Sequence, residues 1–181
     1  MSRVVALLRA VNLPSHQKVG SAQLKAFATD LGFTDAQTLL ASGNLVFGAG
    51  AQKAEALEKR LEAESPKRLG LATDFFVRTA GDLEGVVTKN PFPEASKEDP
   101  SHLVVLFLKA PATEAGLKAL RAAIAGRERV AGGGRHVYAH YVDGIGESRL
   151  TNKLIEKHLG AACTGRNWNT VLKLLALTKS P

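Results

Sequence analysis

The order in which short apolar strands and amphipathic helices alternate is the strongest constraint this chain carries. Arg3 to Leu8 reads as a buried strand, and Ala22 to Leu31 as a helix whose Leu24, Phe27, Ala28 and Leu31 recur at i, i+3, i+4 and i+7. Gly32 ends that helix, as glycine does just past a helix C-terminus. Gln37 to Leu40 and Leu45 to Phe47 flank Ala41, Ser42, Gly43 and Asn44, a turn-forming set, and predict a hairpin. A charged amphipathic helix over about Gln52 to Glu64, stopped by Ser65 and Pro66, leads to a strand over Thr73 to Arg78. The resulting order, βαββαβ, is that of the ferredoxin-like unit.

The pattern then nearly restarts. A short helix from Asp82 to about Lys89 is closed by Asn90, Pro91, Phe92 and Pro93, and Glu94 to Pro100 reads as a linker or exposed loop. A strand over His102 to Lys109 and a helix over Thr113 to Ala125, with Leu117, Leu120 and Ile124 inward, precede two strands, Glu128 to Ala131 and His136 to Val142. Gly132, Gly133 and Gly134 lie between those strands, where a tight hairpin turn needs glycine. The last strand of a second βαββαβ set is replaced by a helix over Leu150 to Leu159 and a terminal helix over about Asn167 to Leu177, with Trp168, Val171, Leu172 and Leu175 inward. The predicted fold is α+β: two tandem ferredoxin-like subdomains, residues 1–80 and 81–181, the second carrying extra C-terminal helices.

Composition narrows the setting. The longest apolar run, Leu103 to Leu108, has six residues, against the roughly 20 needed to span a bilayer. No membrane-spanning segment is expected, and Arg9 ends the first apolar stretch before a signal-type core could form. One cysteine, Cys163, excludes an intrachain disulfide and a cysteine zinc cluster, and fits a reducing cytoplasm. The net charge is +7, and residues 149–181 hold six Lys or Arg against one acid, Glu156. A surplus so placed favours anionic partners, nucleic acid and phosphorylated metabolites included, although a basic face can also be merely solvated.

Several motifs line up in order: Leu7 to Asn12, Thr38 to Phe47, Asn90 to Phe92, Ser148 to Leu150, and Thr164 to Leu174. Together they make the chain resemble the bacterial domain of unknown function 1697 family over nearly its whole length. The resemblance implies a compact cytoplasmic protein of two ferredoxin-like subdomains and assigns no catalytic or binding residue. One departure stands out: Leu13, Pro14 and Ser15 follow Asn12 where the family commonly has a glycine pair. That argues against a backbone phosphate cradle at the end of the first strand.

The residues themselves offer a short list of sites. Arg9 and Asn12 lie where the first strand leaves its sheet, a usual place for ligands, and Arg166 and Asn167 lie at the expected start of the terminal helix. Converging with Ser42 and Asn44, they would supply two guanidiniums and several amide or hydroxyl groups, a set suited to phosphate or carboxylate. The plainer reading is that Ser42 and Asn44 make a turn, Thr164 or Asn167 caps a helix and Arg166 pairs with a carboxylate. Gly144 to Ser148 runs from a strand into a helix, with Ser148 or Thr151 as N-cap and Lys153 in the first turns. An anion could sit there, but Glu147 would repel it, and capping is the simpler role.

Catalytic signatures are absent: there is no Gly-x-Ser-x-Gly, His-Glu-x-x-His or phosphate-binding Walker loop. The five histidines are scattered, and His136 and His140 alone do not make a metal site. Cys163 reads as a buried inert thiol. No metal or cofactor is expected. The sequence thus points to a cytoplasmic module that binds a phosphate-bearing ligand, nucleotide or nucleic acid, through a basic cleft. The alternatives are a small enzyme acting on an anionic metabolite and an interaction scaffold without ligand. Monomer and homodimer are both open.

Overall fold

A computed structural model describes residues 2–9, 18–40 and 43–179; Asn12 and Ser42 lie outside them. The chain forms two compact units, Met1–Gly85 with Lys173–Pro181, and Val86–Leu172. Among the described residues there are two antiparallel sheets, of four and three strands, and seven helices. The fold is mixed α+β.

The first unit contains β1 (Arg3–Leu8), α1 (Ser21–Asp30), β2 (Thr34–Thr38), β3 (Asn44–Gly48), α2 (Ala54–Arg68) and β4 (Phe75–Thr79). Its strands run in the order β2-β3-β1-β4, each antiparallel to its neighbour. Every residue of β1 is buried, because the strand is central in the sheet. Alternate side chains face one way along a strand, so Val4, Ala6 and Leu8 share a face with Leu45, Phe47, Phe75 and Val77. The register sets them side by side: Val4 opposite Phe47, Ala6 opposite Leu45 and Val77, Leu8 opposite Phe75. Leu24, Phe27 and Ala28 of α1 and Leu57 and Leu61 of α2 complete this core. Phe33 stacks on Phe47 at 4.3 Å between ring centroids. Pro66 does not stop α2. It sits in the last turn, where Leu69 N–H donates to the Ser65 carbonyl and the Ser65 hydroxyl donates to the carbonyl of Leu71.

The second unit contains α4 (Pro93–Glu98), β5 (Leu103–Ala112), α5 (Glu114–Ala123), β6 (Arg129–His140), α6 (Asn152–Leu159) and β7 (Cys163–Asn167), with strand order β6-β5-β7. The chain passes between units within α3 (Ala80–Thr88) and α7 (Trp168–Lys179). Val104, Leu106 and Leu108 of β5, Val137 and Ala139 of β6 and Cys163 of β7 pack with Leu117, Leu120, Ile155 and Leu159 from the helices.

Four expectations need correction in this region. The segment Glu94 to Pro100 is largely helix, because Pro93 stands in the first turn, where its missing N–H costs nothing. The three glycines make no hairpin turn; one strand, Arg129–His140, runs through them. Gly132 has φ +115°, and a Cβ there would stand 3.0 Å from the Tyr138 ring. Glycine is thus used to kink a continuous strand, two residues before Gly134, the residue opposite Ala112 at which the shifted β5–β6 register ends. The second sheet also has its closing strand, β7, ahead of the terminal helix. In that helix Trp168 and Val171 are buried as expected, but Leu174 is buried in place of Leu172, which is 41% exposed.

α5 and α6 meet at Gly116. A Cβ there would stand 2.8 Å from the His158 carbonyl oxygen and 3.5 Å from the Leu159 Cα, both backbone atoms that cannot swing aside. Gly116→Ala should therefore destabilise the fold by about 1–2 kcal/mol despite alanine's better helix propensity. Urea unfolding measures this, and a stabilised variant would show that the two helices can separate freely.

Candidate functional site

The structure gives each predicted residue a definite setting. Arg9 closes the end of β1: its N–H donates to the Asp74 carbonyl at 3.1 Å and its carbonyl accepts from the Thr73 hydroxyl at 2.9 Å. Its guanidinium pairs with the Asp74 carboxylate at 3.2 Å and remains about one-third exposed. Asn44 is fully buried opposite Leu7, and its amide donates to the Leu39 carbonyl at 2.9 Å. That bond closes the chain reversal between β2 and β3. Arg9 and Asn44 belong to the first unit; Lys153, Arg166 and Asn167 belong to the second.

Arg166 lies in β7 opposite Val105, not at a helix start. It is buried, and its Nη1 donates to the Thr164 hydroxyl and the Gly165 carbonyl, both at 2.8 Å. Burial pushes the guanidinium down to about 10, which leaves it charged at neutral pH. Asn167 ends β7 and caps α7, its side-chain oxygen accepting from Thr170 N–H at 3.0 Å. Cys163 is buried and forms no disulfide, and its N–H donates to Glu156 Oε1 at 2.9 Å.

At the start of α6 the two capping candidates separate. Thr151 is the cap, accepting from Leu154 N–H, while the Ser148 hydroxyl donates to Glu128 and accepts from Leu150 N–H. Gly144, Glu147 and Ser148 of this loop line a cleft of about 230 Å³ together with Gly126, Glu128, Asp143 and Arg149. Glu128 and Glu147 share this wall with one guanidinium, Arg149. Asp143 pairs with Arg127, whose hydrogen bond holds the carboxyl below its usual range. This charge balance does not favour an anion in the loop.

Exposed positive charge lies instead along α6 and just before it, where Arg149 also borders the cleft. Arg149, Lys153 and Lys157 are four residues apart and exposed, and none pairs with a carboxylate among the described residues. Lys153 and Lys157 share one helix face by their i, i+4 spacing. The acid between them, Glu156, is occupied with Cys163.

One constellation was not anticipated. Asp99, the C-cap of α4, binds two histidines at once: its Oδ1 accepts from His102 Nδ1 at 2.8 Å, and its Oδ2 meets His140 Nε2 at 3.1 Å. His140 faces Leu103 across the β5–β6 ladder, so 38 residues of sequence separation vanish in the sheet register. The Asp99–His102 spacing was visible in the sequence, but nothing there indicated that His140 would join it. No three His, Cys, Asp or Glu among the described residues are arranged to hold a metal.

The family model for a protein of unknown function, DUF1697, matches residues 1–138. The chain belongs to this family. No curated protein matches it. A solved structure of a conserved bacterial protein from Streptococcus pneumoniae is similar at TM-score 0.73 and 20% identity, covering 98% of this chain and 99% of that one. At that identity the likeness concerns the fold. In this DUF1697 protein, Arg9, Asn12, Ser42, Asn44 and the Asp99–His102 pair lie within the matched span, whereas Lys153, Arg166 and Asn167 lie beyond it. No helix among the described residues is long and apolar enough to cross a membrane.

Proposed function

We propose that this protein is a cytoplasmic module that binds a phosphate-bearing ligand, nucleotide or nucleic acid, through its basic α6 surface. The observation carrying this reading is the row Arg149, Lys153 and Lys157: three exposed cations with no carboxylate partner among the described residues. Exposed ammonium and guanidinium groups at this spacing match successive phosphates and gain affinity by releasing counterions. Arg166 serves this site from behind by fixing the segment that follows α6, and Asn167 by anchoring the next helix. Arg9, about one-third exposed beside Asp74, is a separate candidate anion contact of the first unit, with Asn12 three residues on in sequence, Ser42 between β2 and β3 in sequence and Asn44 holding the reversal between those strands.

Each unit is read as a variant of the ferredoxin-like design, two subdomains in tandem. The all-antiparallel order β2-β3-β1-β4 supports this for the first. A kinked β6 standing for two strands supports it for the second. An enzyme acting on an anionic metabolite is the second reading, favoured by the carboxylate-held imidazole of His102.

Binding of a labelled single-stranded oligonucleotide, followed by anisotropy across salt concentrations, tests the first reading. With three phosphate contacts the log–log slope should be about −2. Lys153→Gln with Lys157→Gln should flatten the slope by roughly 1.4 and weaken binding equally for all sequences. A mononucleotide competing at low salt would favour a nucleotide site. Absence of binding for both at low salt removes the proposal.

A further inference from the structure

We propose that a second cleft in the second unit binds a small monocarboxylate with an apolar body, its carboxylate held by Arg121 and Arg129. The cleft has a volume of about 430 Å³, within the range of roughly 300–1,000 Å³ that small-molecule sites occupy. Arg121, Arg129 and Glu128 supply its charge, and Phe92, Ile124 and Val130 its apolar wall. None of these residues belongs to the α6 surface.

Both guanidiniums are steadied and keep donors to spare. Arg121 Nε donates to the Val130 carbonyl at 3.0 Å, which fixes the plane of the group beside the wall. Its Nη1 stands 3.9 Å from Glu114, a carboxylate that is 86% exposed and therefore well screened by water. Arg129 holds its Cζ 4.9 Å from the centroid of the Phe92 ring and takes no carboxylate partner among the described residues. A guanidinium carries five N–H donors around its edge, so one hydrogen bond or one ring contact leaves a fork for a carboxylate.

The aromatic platform is braced in turn. Phe92 is buried; its N–H donates to Asn90 Oδ1 at 2.9 Å, and its carbonyl accepts from Asn90 Nδ2 at 3.3 Å. The Asn90-Pro91-Phe92 motif thus ends in a fixed ring that seats Arg129.

The charge of the wall sets the valence of the ligand. Glu128 Oε1 accepts from the Ser148 hydroxyl and Oε2 is buried, yet the carboxylate still offsets one of the two guanidiniums. Two cations against one anion leave a single positive charge. A monocarboxylate neutralises it, whereas the dianion of a phosphate monoester overshoots it beside Glu128. The apolar side chains of Phe92, Ile124 and Val130 take the body of the molecule out of water.

Titration of the full isotope-labelled chain with sodium phenylacetate, followed through arginine Nε–H and backbone amide resonances, tests this. Expected are saturable shifts of the Arg121 and Arg129 signals and of the Val130 and Ala131 amides, with a Kd of about 1–10 mM, as suits so small a ligand. Arg129→Gln should weaken binding at least about fivefold with an unchanged melting temperature. Arg121→Gln should weaken it likewise; because that variant also loses the Val130 bond, Arg129→Gln carries the test should Arg121→Gln unfold. Phenethylamine, the cationic counterpart, should leave these signals in place, and phenyl phosphate should bind more weakly than phenylacetate. Shifts that do not saturate, affinity undiminished in Arg129→Gln, or phenethylamine bound as tightly as phenylacetate overturn the proposal; phenyl phosphate bound more tightly overturns the assignment to a monocarboxylate. Lys153→Gln with Lys157→Gln should leave phenylacetate affinity unchanged, so this site and the α6 surface fail separately.

Discussion

Glu58→Ala is expected to cost about 3–5 kcal/mol of stability, the range for removing one partner from a buried ion pair. Glu58 is 6% exposed on the inner side of α2, and its Oε1 accepts from Val77 N–H at 2.9 Å and from Arg78 Nη1 at 3.4 Å. β4 is an edge strand of the first sheet, and an edge strand presents backbone N–H groups without a neighbouring strand. α2 supplies the acceptors. Glu62, one turn further on, accepts from Phe75 N–H at 2.9 Å, so two glutamates at i, i+4 cover two N–H groups that point the same way from β4. Removing the Glu58 carboxylate deprives a buried backbone donor and a buried guanidinium together. Chemical denaturation should show the midpoint falling with an unchanged slope. Combining Glu58→Ala with Arg78→Ala should cost less than the sum of the single changes, because the buried guanidinium left without its carboxylate is then gone. A single-variant loss under about 1 kcal/mol would refute this account.

The second large effect concerns alkaline pH. Both tyrosines of the chain are buried with their hydroxyls donating to carbonyls, Tyr138 to Val86 at 2.6 Å and Tyr141 to Leu150 at 3.1 Å. Burial pushes each phenol up to about 12. A folded-state value above the unfolded one means that the unfolded chain releases its proton first. The tyrosine contribution is therefore whole below pH 10 and is lost as pH rises from 10 towards 12. Arg166 acts with the opposite sign, since burial lowers it to about 10 and its burial cost is relieved over the same interval. At about 1.4 kcal/mol per unit, two tyrosines against one arginine leave a net loss of roughly 3 kcal/mol by pH 12. Tyrosinate absorbance should rise near pH 12 in the folded protein and near pH 10 in urea. Both phenols ionising near 10 in the native protein would contradict the burial argument.

Much of the fold was legible because it depends on periodicity. Leu24, Phe27, Ala28 and Leu31 are buried where their helical spacing put them, as are the residues of β1. The glycine triplet was misread because glycine permits both a hairpin turn and a strand kink, and the choice lies with the Tyr138 ring against Gly132. β7 was misread because its Gly, Arg and Asn favour no strand locally; pairing of Leu106 with Gly165 and of Val105 with Arg166 makes it one. Pro66 marked a helix end that the Ser65 contacts move a few residues on.

The candidate residues were legible as chemistry without place. Arg9, Asn44, Arg166 and Asn167 were picked out for their polar groups, and each has a hydrogen-bonded role in the fold. By itself the sequence determined the α+β class, the family resemblance and the basic surplus after residue 149, because helical and strand periods and charge are properties of neighbours along the chain. Only the tertiary structure decided which cations lie exposed without a carboxylate, and that Asp99 holds both His102 and His140. Those facts depend on strand register and helix orientation, which bring together residues that no local pattern connects.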